Sequence, residues 1–136
     1  MHARVDVHTP FHIDLVWWDQ RGRSLRRVLA DILGEPDADL APQTPMDFID
    51  PQTAEVLQLD PLWVRVLSSE ARRPDYIDGA TPLTSAVLRA FIANVNRPLT
   101  AIDLQRRISR SSPETLLRVL RTARTEYGIV PVETPG

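Results

Sequence analysis

The chain has 136 residues, 43% hydrophobic and 25% charged, a composition that argues for a soluble globular protein of one domain or two small ones sharing a core. It has no cysteine, which excludes a disulfide framework, a thiolate zinc site and a cysteine nucleophile, and no apolar run approaches the roughly 20 residues of a membrane span. All sixteen basic residues are arginine, and the net charge of −2 hides a split: residues 1–80 carry −6 and residues 81–136 carry +4, with +5 concentrated in 97–124. Such asymmetry suggests that one half meets a polyanion, and guanidinium forks suit phosphates and carboxylates alike. The opening residues, Met1 to Asp6, lack an apolar leader, so a cytoplasmic location is expected.

Residues 11–18, Phe-His-Ile-Asp-Leu-Val-Trp-Trp, alternate and predict a half-buried strand. In that reading Trp17 joins Phe11, Ile13 and Leu15 on a buried face. Trp18 lies on the other face with Val16, to be covered by a helix or by a second subunit, since aromatics are enriched at interfaces. Leu25, Val28, Leu29, Ile32 and Leu33 then fall at helical spacing, with Gly34 as the stop. A Pro- and acid-rich loop covers 34–45. Residues 46–60 predict a hairpin in which Ile49 opposes Val56, Phe48 opposes Leu57, Asp47 opposes Gln58 and Met46 opposes Leu59, so that apolar meets apolar. Asp60-Pro61 caps a helix running to Glu70 that buries Leu62, Trp63, Val66 and Leu67. Residues 71–80 read as a connector.

Residues 81–132 predict three helices and a short strand. The first starts at Thr81-Pro82 and carries Leu83, Val87, Leu88, Phe91, Ile92 and Val95. The second, about 101–108, opens with Thr100 and Asp103 at capping-box spacing. After the tight link Ser109-Arg110-Ser111, Ser112-Pro113 opens the third, over 113–125. Leu116, Leu117, Leu120, Ala123 and Tyr127 face inward, while Thr115, Arg118, Arg121, Thr122 and Thr125 face outward. Gly128 to Val132 leaves room for one brief strand.

The run from Pro98 to Val132 resembles the helix-turn-helix of winged-helix proteins, many of them bacterial regulators. The resemblance covers about 82–132; residues 1–80 resemble nothing recognised. It implies a short helix, a tight turn, a longer helix that reads the DNA major groove, and a β-wing alongside. Carried onto this chain, it implies that Ser111, Ser112 and Thr115 are short donors at the groove and that Arg118 is a fork for guanine. It also implies that Arg106, Arg107, Arg110, Arg121 and Arg124 hold phosphates, with Thr122 on the same outer face. Glu114 in the first turn repels phosphate unless it accepts from cytosine. Only nine residues follow Tyr127, too few for a full two-stranded wing, and degenerate winged helices often serve as docking modules.

Catalytic signals are sparse. His2, His8 and His12 cluster near Asp6 and Asp14, but four residues of strand span about 13 Å, too far for His8 and His12 to share one ion unless Pro10 bends the chain. The five glycines are isolated, so no phosphate loop exists, and there is no Gly-x-Ser-x-Gly elbow. The expectation is an α+β chain: a small antiparallel sheet with two helices over 1–75, then a three-helix winged-helix-like module with a reduced wing over 81–136. The expected function is non-enzymatic binding of duplex DNA, without cofactor or metal, with the N-terminal part mediating either self-association as a homodimer through Trp18 or binding of a protein partner. The alternative is a protein–protein adaptor in which the arginine face meets an acidic surface.

Overall fold

A computed structural model of the chain describes residues 4–40 and 43–133. It mixes helix with two small antiparallel sheets, as an α+β chain should. The elements in chain order are β1 (Phe11–Ile13), α1 (Leu15–Gln20), α2 (Leu25–Leu33), β2 (Met46–Ile49), β3 (Val56–Leu59), α3 (Pro61–Ser68), α4 (Leu83–Ala93), α5 (Ala101–Arg107), α6 (Pro113–Tyr127) and β4 (Ile129–Pro131). Single 3₁₀ turns occupy Ala38–Leu40 and Glu70–Arg72.

The chain divides into two compact units, and the division differs from the one expected near residue 80. One unit is residues 24–76; the other joins residues 1–23 to 77–136. The N-terminal segment belongs with the C-terminal helices because β1 pairs antiparallel with β4, Phe11 opposite Pro131 and Ile13 opposite Ile129. The expected single sheet of three strands is therefore two sheets, β1–β4 and β2–β3. A three-residue strand after α6 leaves backbone groups without partners, and β1 supplies them.

In the larger unit, α6 packs on α4 and α5. Val87, Phe91, Ile92, Leu104, Ile108, Leu116, Leu120 and Ile129 are completely or almost completely buried. Thr100 and Asp103 form a reciprocal capping box at the start of α5, as their spacing predicts. The stripe of α4 stops two residues short of Val95. Val95 and Asn96 take left-handed backbone, φ 58° and 56°, which turns the chain back toward β1. There the Asn96 side chain acts as a strand substitute: Oδ1 accepts from the Ile13 N–H at 2.7 Å and Nδ2 donates to the Ile13 carbonyl at 2.9 Å. Leu99 adds two backbone hydrogen bonds to Phe11.

The strand expected over 11–18 ends at Ile13. Asp14 caps a helix instead, its Oδ1 accepting from the Val16 N–H at 3.1 Å. Apolar residues occupy both parities of this segment, so alternation could not decide the matter, and a capping carboxylate did. The consequence reverses the two tryptophans. Trp18 is 2% exposed, stacked on Tyr127, with its Nε1–H donating to the Tyr127 carbonyl at 2.8 Å. It is an internal side chain, not the intermolecular surface expected of it. Trp17 is half-buried, and Leu15 and Val16 are exposed.

In the unit 24–76, α2 runs from its Ser24 cap to Gly34 in left-handed backbone, and α3 from its Asp60 cap; the two helices pack together. The β2–β3 register is the predicted one at all four pairs. Phe48, Leu57 and Leu59 are half-buried and Met46 is 44% exposed, whereas Ile49 and Val56 on the other face are 64% and 60% exposed.

Candidate nucleic-acid interface

The turn from Ile108 to Ser112 sets α6 against α5. Ser112 caps α6 by accepting from the Thr115 N–H at 3.2 Å, and Pro113 follows at the first helical position. Gly128 ends the helix in left-handed backbone. With Leu116, Leu120 and Ala123 buried, the opposite face of α6 presents Glu114, Arg118, Arg121 and Thr125 one above the next, with Thr122 and Arg124 beside them; all six are exposed.

The sequence-predicted residues occupy three kinds of position. Ser112 and Thr115 are tied to each other: besides the cap, the Ser112 hydroxyl donates to Thr115 Oγ1 at 3.1 Å. Arg118 joins them, its Nη2 donating to Thr115 Oγ1 at 3.2 Å. Arg118 stands one turn from Glu114, yet no ion pair within 4.0 Å joins them. Arg106 and Arg107 are exposed at the end of α5 and, with Leu99 and Asp103, line a shallow cleft of about 350 Å³. Arg107 is steadied by Asn94, whose Oδ1 accepts from Nη2 at 3.0 Å. Arg110 is held most firmly. Its guanidinium donates to the carbonyls of Asp78, Gly79 and Thr81, pinning the turn before α4. Ser111 is half-buried in the turn, and Arg121 and Thr122 project from α6.

Among the described residues, no carboxylate comes within 4.0 Å of Arg106, Arg107, Arg110, Arg118, Arg121 or Arg124. The unit 24–76 behaves in the opposite way. There Arg26 pairs with Asp60 at 3.1 Å, Arg27 with Asp31 and Asp39, Arg65 with Glu35, and Arg73 with Glu70 and Asp75. A hydrogen bond to a neutral oxygen orients a guanidinium and leaves its charge intact; an ion pair cancels it. The uncompensated charge therefore sits on α5 and α6.

Just before α4, Asp78 accepts from the N–H groups of Ala80 and Thr81 and from the Thr81 hydroxyl. These bonds, led by the Ala80 N–H, hold its carboxyl below the ordinary value of 3.8, and Arg110 adds to the effect.

Sequence reasoning missed the company that α6 keeps at its C-terminal end. Arg23 donates to the Glu126 carbonyl and lies 4.5 Å above the Trp18 ring; Arg21 lies 4.3 Å above Trp17. The signal available was the aromatic pair followed closely by Arg-Gly-Arg, but its partner lies at the far end of the chain. Of the histidines, His2 is outside the described residues. His8 sits in a turn with its backbone N–H on Asp6, and His12 lies opposite Val130 in the sheet. Among the described residues no group of three or more His, Asp or Glu is placed to hold a metal ion, and no helix is long and apolar enough to cross a membrane. No protein-family model, curated protein or solved structure matches this chain.

Proposed function

We propose that the unit formed by residues 1–23 and 77–136 is a winged-helix-like module that binds duplex DNA, with α6 in the major groove and α5 against the phosphate backbone. The observation that carries this reading is the outward stripe of α6: Arg118 and Arg121 are exposed, one turn apart and free of carboxylate partners among the described residues. Arg118, held by Thr115, is pre-oriented for a bidentate base contact, and such a contact discriminates by about 1–3 kcal/mol. Arg106 and Arg107 flank the groove side of α5 as phosphate contacts. In this reading β1, paired with β4, serves as the wing's partner strand, with Leu99 bordering β1.

Anisotropy of a labelled duplex, titrated at about 50 and about 200 mM salt, tests the proposal. Each phosphate contact contributes a log–log slope near −0.9, and Arg118→Ala with Arg121→Ala removes most of the binding. Absence of binding at the lower salt, or binding indifferent to salt, overturns it.

A docking module for an acidic protein surface is the second reading. What favours it is Glu114, exposed at the first turn of α6 where a phosphate would approach, together with the internal commitment of Arg110. Retention of a protein partner after nuclease treatment, with no duplex binding, decides for it.

A further inference from the structure

We propose that Arg21, held over the indole of Trp17, is a second phosphate-contacting group that carries the DNA face of α6 past its C-terminal end. The inference rests on the duplex-binding reading and adds to it a residue outside the helix-turn-helix.

Three contacts join α1 and the residues after it to the last turn of α6. Trp18 Nε1–H donates to the Tyr127 carbonyl, Arg23 donates to the Glu126 carbonyl, and the Trp17 ring lies against Gly128. Arg21 is thereby placed beside the end of the stripe that begins with Arg118 and Arg121. Its guanidinium carbon is 4.3 Å from the centroid of Trp17. A contact to the face of an aromatic ring uses the cation's charge and none of its five N–H donors. Arg21 is exposed, and among the described residues no carboxylate lies within 4.0 Å of it. A long cation whose stem is steadied by an indole loses less rotamer freedom on meeting a phosphate, which is the benefit of a preorganised fork. Arg23 differs: it lies between Trp18 and the Glu126 carbonyl and serves to hold the helix end. The exposed acids Asp19 and Glu126 oppose a phosphate here, and Asp19 supplies a second test of opposite sign.

The experiment is the duplex titration on the full chain at several salt concentrations, with thermal unfolding of each variant alongside. Arg21→Gln is expected to weaken binding by about tenfold at the lower salt and to flatten the log–log slope by about 1. Asp19→Asn is expected to tighten binding, because it removes a repelling charge beside the same phosphate. If Arg21→Gln and Asp19→Asn both bind with the parent's affinity and slope, while Arg118→Gln with Arg121→Gln binds weakly, this inference is overturned and the duplex-binding reading stands. If the parent chain does not bind duplex, both are overturned. Should Arg21→Gln lower the unfolding midpoint by many degrees, the Asp19→Asn titration decides alone: tighter binding supports the inference and unchanged binding refutes it.

Discussion

Gly128 is the point at which the N-terminal segment and α6 constrain each other most sharply, and substituting alanine there separates two costs. The residue has φ +60°, a region in which an L side chain is strained by about 1–2 kcal/mol. A Cβ built on it also meets Trp17 Cδ2 and Cε3 at 2.7 Å and Cγ at 2.8 Å, about 1 Å inside ordinary carbon–carbon contact. The ring is half-buried and held by Arg21, so relief requires moving α1 or tilting the indole; overpacking of this kind costs about 1–3 kcal/mol. Gly128→Ala is therefore expected to destabilise by about 2–5 kcal/mol, a large part of the roughly 5–15 kcal/mol available to a small protein. Chemical denaturation followed by far-UV circular dichroism measures it, and a double-mutant cycle assigns it. In a Trp17→Ala background the clash is gone while the backbone strain remains, so the cost of Gly128→Ala should fall to about 1–2 kcal/mol. Equal costs in the two backgrounds would refute the contact between Trp17 and Gly128. A cost under about 0.5 kcal/mol would refute the left-handed backbone as well.

Three further outcomes follow from individual bonds. Trp18→Phe leaves the half-buried Tyr127 carbonyl without its 2.8 Å donor, and denaturation should show a loss of about 1–3 kcal/mol, with the most blue-shifted tryptophan emission removed. Ser112→Ala deletes the acceptor for the Thr115 N–H and should cost about 1 kcal/mol, whereas Ser112→Asp should restore it; equal losses would show that the cap is unimportant. For Asp78 the sign is that of a carboxyl whose folded pKa lies below its unfolded one. Its contribution is complete above the ordinary 3.8 and is lost as pH falls through the lower folded value. The stability gap between the parent and Asp78→Ala should therefore be constant near neutrality and narrow below about pH 4, and a gap that widens on acidification would contradict the hydrogen bonds assigned to it.

Much of this architecture was legible because it is local. The β2–β3 register follows from matched parity: any one-residue slip puts Asp47 or Gln58 opposite an apolar neighbour. Both the capping box at Thr100 and Asp103 and the cap at Ser112 are three-residue relations, readable without the fold. What failed was non-local. Phe11 to Trp18 carries apolar residues at odd and even positions, and the residue that receives the buried indole, Tyr127, stacks on Trp18 and accepts from it at the far end of the chain. Likewise no pattern near residue 129 announces that its strand partner lies at the other end of the chain. In the candidate site, outward placement of Arg118, Arg121 and Thr122 followed from helical spacing. The attachment of Arg110 to three carbonyls did not, because it depends on where a loop thirty residues upstream comes to rest.

The arginines of α6 also separate stability from function. The unit formed by residues 1–23 and 77–136 holds eleven arginines against eight acids; residues 24–76 hold five against ten. Placing acids at helical spacing from Arg118 and Arg121 would stabilise α6 by about 0.3–0.5 kcal/mol per pair. Apart from Glu114, which does not pair, the positions one turn away carry threonine, leucine or a further arginine. Thr122→Glu introduces such an acid four residues after Arg118 on the exposed face, where its repulsion from Glu126 four residues further on offsets that pair, and replaces threonine with a better helix former. If the stripe served only to solubilise or stabilise the helix, the gain in helix propensity would make this substitution a small net improvement. If it meets a polyanion, the same substitution raises the unfolding free energy by a few tenths of a kcal/mol and weakens duplex binding severalfold, with the salt slope reduced by about one contact. Stability and affinity moving in opposite directions is the signature of a surface kept positive for a ligand. Stability rising with affinity unchanged would place the DNA elsewhere on the molecule, or nowhere.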